Sequence, residues 1–72
     1  MKKYAIIIEK APDGGYGAYA PDLPGCVGMG ANKEEAIQNV TEAILFHLEG
    51  LAEEGLPIPE STSEAENLII AG

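Results

Sequence analysis

Arginine is absent from this 72-residue chain: its four basic side chains are all lysines, set against twelve acidic ones for a formal net charge of −8. Such a surface repels a phosphate backbone. It also lacks the guanidinium that grips phosphate through two parallel hydrogen bonds, so direct nucleic-acid binding is not expected. A basic protein is the better electrostatic match, because complementary potentials speed encounter and disfavour wrong partners. A solubilising role for the acid is the plainer reading beside it.

Cysteine is nearly absent too. The single Cys26 cannot make an internal disulfide. The apolar run of MKKYAIIIEK ends at Glu9, too soon for the apolar region of a signal peptide, and no stretch approaches the ~20 apolar residues of a membrane span. These absences place the protein in the cytoplasm, away from membranes. There are no internal repeats or low-complexity tracts, and the length corresponds to one domain, residues 1–72. A domain of this size buries only ~60% of the surface its unfolded chain exposes, so a partner subunit would help it.

Sets of residues that carry chemistry are equally scarce. Cys26 and His47 are each the only residue of their kind, and their spacing does not make a nucleophile pair. With no second histidine or cysteine they are too few for a zinc site, so neither metal nor cofactor is expected. Gly25-Cys26-Val27-Gly28-Met29-Gly30 precedes a helix but matches neither a dinucleotide fingerprint nor a Walker loop. Glu34 and Glu35 would oppose a phosphate there.

What the chain does have is organised hydrophobicity, 46% of its residues. Residues 3–9 (KYAIIIE) read as a strand, and Ala11-Pro12-Asp13-Gly14-Gly15 as the turn into a second strand over residues 16–20. Pro21 and Pro24 stiffen the next corner, Gly25 allows a sharp exit, and Gly28 and Gly30 keep a third strand, residues 26–30, low in profile. Asn32 with Glu35 three residues on is an Asn-type capping box. Ile37, Val40, Thr41, Ile44, Leu48 and Leu51 then share one helical face. Gly55, Pro57 and Pro59 stop the helix, and residues 67–71 (NLIIA) return to strand character.

The expectation is an α+β fold, βββαβ, with a four-stranded mixed sheet of order 3-2-1-4 and one long helix on one face. One helix covers one sheet face, so the uncovered face or an edge is expected to be buried by self-association or a partner. On the helix, Glu35, Glu42, Glu49 and Glu53 fall within one arc away from the apolar stripe, and Phe46 projects into it. An aromatic among acids is how an interface anchor with a polar rim is built, although a charge run is more often only a solvated face. Asp22 and Leu23, at the tip of the proline corner, form a second candidate contact.

With these elements placed, the sequence resembles the HicB-like antitoxin family. The likeness is carried by Asp22-Leu23-Pro24-Gly25-Cys26, the glycine-flanked third strand, Lys33-Glu34-Glu35-Ala36 and Gly55-Leu56-Pro57-Ile58-Pro59. The resemblance implies a partial RNase H-like fold and a domain that binds and neutralises a basic HicA-like mRNA interferase toxin. Members often add a C-terminal DNA-binding module, which is not expected within these 72 residues. The other readings are a solitary, non-catalytic module that binds a protein or a small ligand near Asp22 to Gly30, and a metal-dependent nuclease. The nuclease lacks support: RNase H-like sites converge carboxylates on Mg²⁺, and the last strand ends without an acid while Glu9 stands at the exit of the first. No catalytic residue is assigned.

Overall fold

Two turns built on proline and glycine shape the sheet. The computed structural model describes residues 2–72, so Met1 of the expected domain lies outside the described residues. Strand β1 (Ile7–Lys10) pairs antiparallel with β2 (Tyr16–Tyr19), and β2 with β3 (Val27–Gly30), in the order β1-β2-β3. In the first turn the Ala11 N–H donates to the Gly15 carbonyl at 2.7 Å, and Gly14 takes a φ of 93° that a side chain would resist.

The corner between β2 and β3 is a double turn. The Leu23 N–H donates to the Ala20 carbonyl and the Cys26 N–H to the Leu23 carbonyl, each at 3.1 Å. Pro21 and Pro24 occupy the second position of each turn, where a fixed φ suits them, and Gly25 follows Pro24 with a φ of 88°.

Helix α1 (Lys33–Glu53) begins and ends where the sequence indicates. The Glu35 N–H donates to Asn32 Oδ1 at 2.8 Å, and Glu35 Oε1 accepts from the Ala31 N–H, also at 2.8 Å. A cap of this kind contributes about 1 kcal/mol. At the other end Gly55 turns left-handed with a φ of 69°. Its N–H bonds the Ala52 carbonyl at 3.1 Å while the Leu56 N–H reaches the Leu51 carbonyl at 2.9 Å, a complete Schellman motif. Of the expected apolar stripe, Val40 is fully buried and Ile44 and Leu48 pack on the core. Thr41 is exposed instead, its hydroxyl donating to the Ile37 carbonyl at 2.7 Å.

The register explains how the helix sits. Ile8, Ala18 and Gly28 form one row across the sheet on the helix side, so side-chain size falls steadily toward β3. A Cβ on Gly28 would collide with the backbone N of Val40 and lie 2.8 Å from the Ala36 carbonyl oxygen; one on Gly30 would lie 2.7 Å from Ala36 N. The two glycines therefore let α1 rest its backbone on β3. Ala18, Ala36 and Val40 form one buried cluster and Ala20, Leu23 and Cys26 another, with Ile6 and Ile44 touching both.

The expected fourth strand does not form. Residues 67–71 carry no sheet pairing, and Leu68, Ile69 and Ile70 are 84%, 100% and 83% exposed. The sheet is thus three-stranded and wholly antiparallel, the 3-2-1 part of the expected order. The physical reason is that residues 57–72 form an arm held through side chains, with no backbone–backbone hydrogen bond among the described residues. This arm lengthens the molecule, whose radius of gyration is 13.9 Å against about 11 Å for a compact chain of this length.

The glycine rest yields a direct test. Gly28→Ala should destabilise the domain by about 3 kcal/mol, since backbone cannot move aside as a side chain can. Gly17, on the opposite sheet face with open space around it, should accept alanine with a change within about 1 kcal/mol. Urea melts of the two variants make the comparison, and equal losses would contradict the packing described.

Candidate functional site

The outer side of α1 presents Phe46, 80% exposed, with Glu42, Glu49 and Glu53 exposed around it. Phe46 stands at the rim of a shallow groove between α1 and the double turn, lined also by Pro24, Gly25, Ala43 and His47. Leu45, beside it in the chain, is likewise exposed. Glu35 belongs to the same arc, but its carboxylate is engaged in the helix cap. Glu49, Glu53 and Glu54 crowd the C-terminal end of the helix, and its last turn contains no basic residue. Negative charge there opposes the helix dipole, at about 0.3–1 kcal/mol for each well-placed group. The acids are therefore placed against the preference of the isolated helix.

Of the other predicted contact, Asp22-Leu23, only Asp22 reaches the surface, where it joins the C-terminal arm to the corner. Leu23 is fully buried. Asp22 holds the arm with both oxygens: Oδ2 accepts from the N–H groups of Thr62 and Ser63 at 2.9 and 3.0 Å, and Oδ1 from their hydroxyls at 3.0 and 2.8 Å. The Ser63 N–H and hydroxyl, with Thr62 behind them, hold the carboxyl of Asp22 below the usual aspartate range. A second tie runs from the Tyr4 hydroxyl to the Pro59 carbonyl at 2.5 Å. These joints link residues 40 and 55 positions apart, and no local pattern announces them. Of the stretch Asp22 to Gly30, Leu23 and Cys26 are buried and Gly28 and Gly30 abut the helix backbone, while Pro24 and Gly25 line the shallow groove beside Phe46.

Cys26 and His47 do share the groove wall. The thiol nevertheless is buried and directed at the Ala43 carbonyl, 4.0 Å away. Burial pushes the Cys26 thiol up from its ordinary value, the opposite of what a nucleophile needs. Glu9, Asp13 and Glu35 border a cavity at the far end of the first hairpin. Asp13 accepts from the Gly15 N–H and Glu35 from the Ala31 N–H, and among the described residues no three metal-binding side chains converge.

The uncovered sheet face carries a row the sequence reading did not assemble. Ile7, Tyr19 and Val27 stand opposite one another across the three strands, with Met29 further along. Tyr19, Val27 and Met29 are exposed. Their register, invisible before the strands are paired, is what makes them a patch.

Two measurements check this geometry. Because the Asp22 carboxyl ionises more readily folded than unfolded, its contribution is present above the usual aspartate value near 3.8 and is lost as pH falls through the lowered folded value. Acidification from pH 6 to 2 should therefore shift the Thr62 and Ser63 amide resonances before the helix melts, and Asp22→Asn should release the arm at neutral pH. In the native protein Cys26 should react slowly with a disulfide reagent at pH 8, and fast once urea unfolds the chain; rapid native labelling would contradict its burial.

A family model described as the HicB-like antitoxin of bacterial toxin–antitoxin systems matches residues 4–70. A UPF0150 protein of Synechocystis sp. is 46% identical over 67 residues, 93% of this chain and 78% of its own. Another, from Thermoplasma acidophilum, is 42% identical over 62 residues, covering 86% of this chain and 90% of that one. Among solved structures, the N-terminal domain of the Burkholderia pseudomallei antitoxin HicB superposes with a TM-score of 0.74 at 36% identity, over 82% of this chain and 69% of that one. With its three-stranded sheet, its capped helix and these matches, the chain belongs to the HicB-like antitoxin family.

Proposed function

We propose that this chain is an antitoxin domain that binds and neutralises a basic, HicA-like mRNA interferase toxin by protein–protein contact, without catalysis of its own. The observation that carries the reading is Phe46, an aromatic ring 80% exposed on a helix face that also carries Glu42, Glu49 and Glu53. An exposed ring within a charged rim is the anatomy of an interface anchor. The carboxylates add to it. Glu49, Glu53 and Glu54 are unfavourable at the helix C-terminus, and a basic partner would turn that local cost into attraction. An RNA-cleaving toxin must present basic surface to RNA, and the acidic arc of Glu42, Glu49 and Glu53 is suited to occupy it.

Residues 1–72 are read as a single domain of partial RNase H-like kind, acting in the cytoplasm and self-associating. Nucleic acid and membrane are not partners in this reading, and no cofactor is required. No helix among the described residues is long and apolar enough to cross a membrane. The uncovered Ile7–Tyr19–Val27 row is consistent with self-association.

The test uses the basic protein encoded by the adjacent reading frame, titrated calorimetrically with this chain. Phe46→Ser should weaken binding by about tenfold or more while leaving the melting temperature unchanged. Glu53→Lys should stabilise the free domain by about 0.5 kcal/mol and yet weaken the complex. Unchanged affinity in both variants would remove this face from toxin binding. An absent neighbour, with no protection of cells from a co-expressed HicA-like toxin, would favour the solitary regulator.

A further inference from the structure

Beside Phe46 the surface of α1 is hollow. The ring stands exposed at the rim of the groove between the helix and the double turn. Ala43 and Gly50, one turn to either side of it along α1, lie on its groove flank. Both are small, and a Cβ on Gly50 would meet no atom within 4 Å. Glycine is unfavourable inside a helix, so the space next to the ring is kept open against the preference of the helix itself.

One end of this groove is negative. Glu54, the C-cap residue of α1, lines it, and the carbonyl dipoles of the last helical turn favour a cation there. No cation of this chain takes the place. The last turn contains no basic residue, none of the four lysines lines the groove, and Glu54 makes no ion pair among the described residues. His47, the other polar side chain on the wall, offers a ring nitrogen for one further hydrogen bond. An aromatic wall, an open slot and an unneutralised helix terminus thus meet in one groove.

We infer that this groove receives an arginine side chain of the basic partner, its guanidinium flat against Phe46 and its N–H groups directed at Glu54. This deepens the toxin-binding reading and rests on it, naming what the partner places on this face. Charge sets the sign of the occupant: Glu54 lies in the groove, and Glu42, Glu49 and Glu53 lie on the opposite flank of the ring by helical angle, so an incoming cation is attracted from both sides. Shape then selects arginine. A guanidinium is planar and weakly hydrated, and it stacks on an aromatic face while the donors in its plane stay free for a carboxylate. A lysine ammonium is a compact, strongly hydrated point charge that leaves a flat slot unfilled. The apolar stem of the arginine packs over Ala43 and Gly50, where no side chain of this chain competes for the space.

The test follows the isotope-labelled full chain by NMR as it is titrated with short glycine-flanked peptides that differ only in a central arginine, lysine or citrulline. The arginine peptide should shift the Gly50 amide and the Phe46 ring resonances to saturation, the lysine peptide should bind about threefold or more weakly, and the neutral citrulline peptide should leave them in place. Phe46→Leu, which keeps apolar bulk without the ring, should weaken arginine binding about threefold. Gly50→Leu fills the slot and should abolish binding while raising the melting temperature, because leucine is the better helix former. Equal responses to arginine and citrulline, or undiminished arginine binding in Gly50→Leu, would overturn the arginine slot; calorimetric binding of the neighbouring basic protein, weakened by Phe46→Ser, would still uphold the antitoxin reading. Arginine-specific shifts without any binding of that protein would uphold the slot and remove the toxin as its partner.

Discussion

Everything in this domain depends on how closely α1 approaches β3. Two glycines, Gly28 and Gly30, face the helix where any side chain would run into the backbone of Ala36 and Val40. With the helix seated there, the row Ile8–Ala18–Gly28 becomes a wedge, thick at β1 and thin at β3. The wedge lets four-residue strands and a single helix enclose an apolar interior. In a chain this small there is little interior to spare, so the fit of backbone to backbone stands in for the bulk that larger domains use.

The placement of the helix sets the rest of the surface. Burying Ala36 and Val40 turns the arc of Phe46, Glu42, Glu49 and Glu53 outward. It also brings Ala43 and His47 against the proline corner, forming the groove at whose rim Phe46 stands. The corner is tucked under the helix by Leu23, and its neighbour Asp22 catches the arm. Scaffold, anchor and arm are thus consecutive parts of one packing arrangement. Acids thus face outward on the helix, while Lys10 and Lys33 share the groove along β1 with Glu64 and Glu66.

Much of this was legible from local chemistry. Asn32 and Glu35 marked the start of the helix and Gly55 its end, because capping groups must lie within a few residues of the backbone they satisfy. Pro21, Pro24 and Gly25 marked the double turn for the same reason, since their φ preferences are intrinsic. The exposed setting of Phe46 followed from its angle on the helical wheel. The expected fourth strand failed on a different ground. NLIIA has the composition of a strand, but a strand needs a neighbour within reach, and composition says nothing of reach. Leu23 was misplaced likewise: a proline corner sits on the surface, as Pro21, Pro24 and Gly25 do here, and only the packed structure shows the Leu23 side chain turned inward.

The sequence by itself determined the helix and its ends, the two turns, the acidic balance and the family, because each is written in residues adjacent along the chain or one helical turn apart; it misjudged the extent of the first strand and the pairing of the last. Only the tertiary structure decided which surfaces exist. The wedge of Ile8, Ala18 and Gly28, the outer row of Ile7, Tyr19 and Val27, the arm held by Asp22 and Tyr4, and the groove along β1 all join residues distant in sequence. Such joints form when long-range packing repays the entropy of closing large loops, a balance that no short stretch of sequence contains.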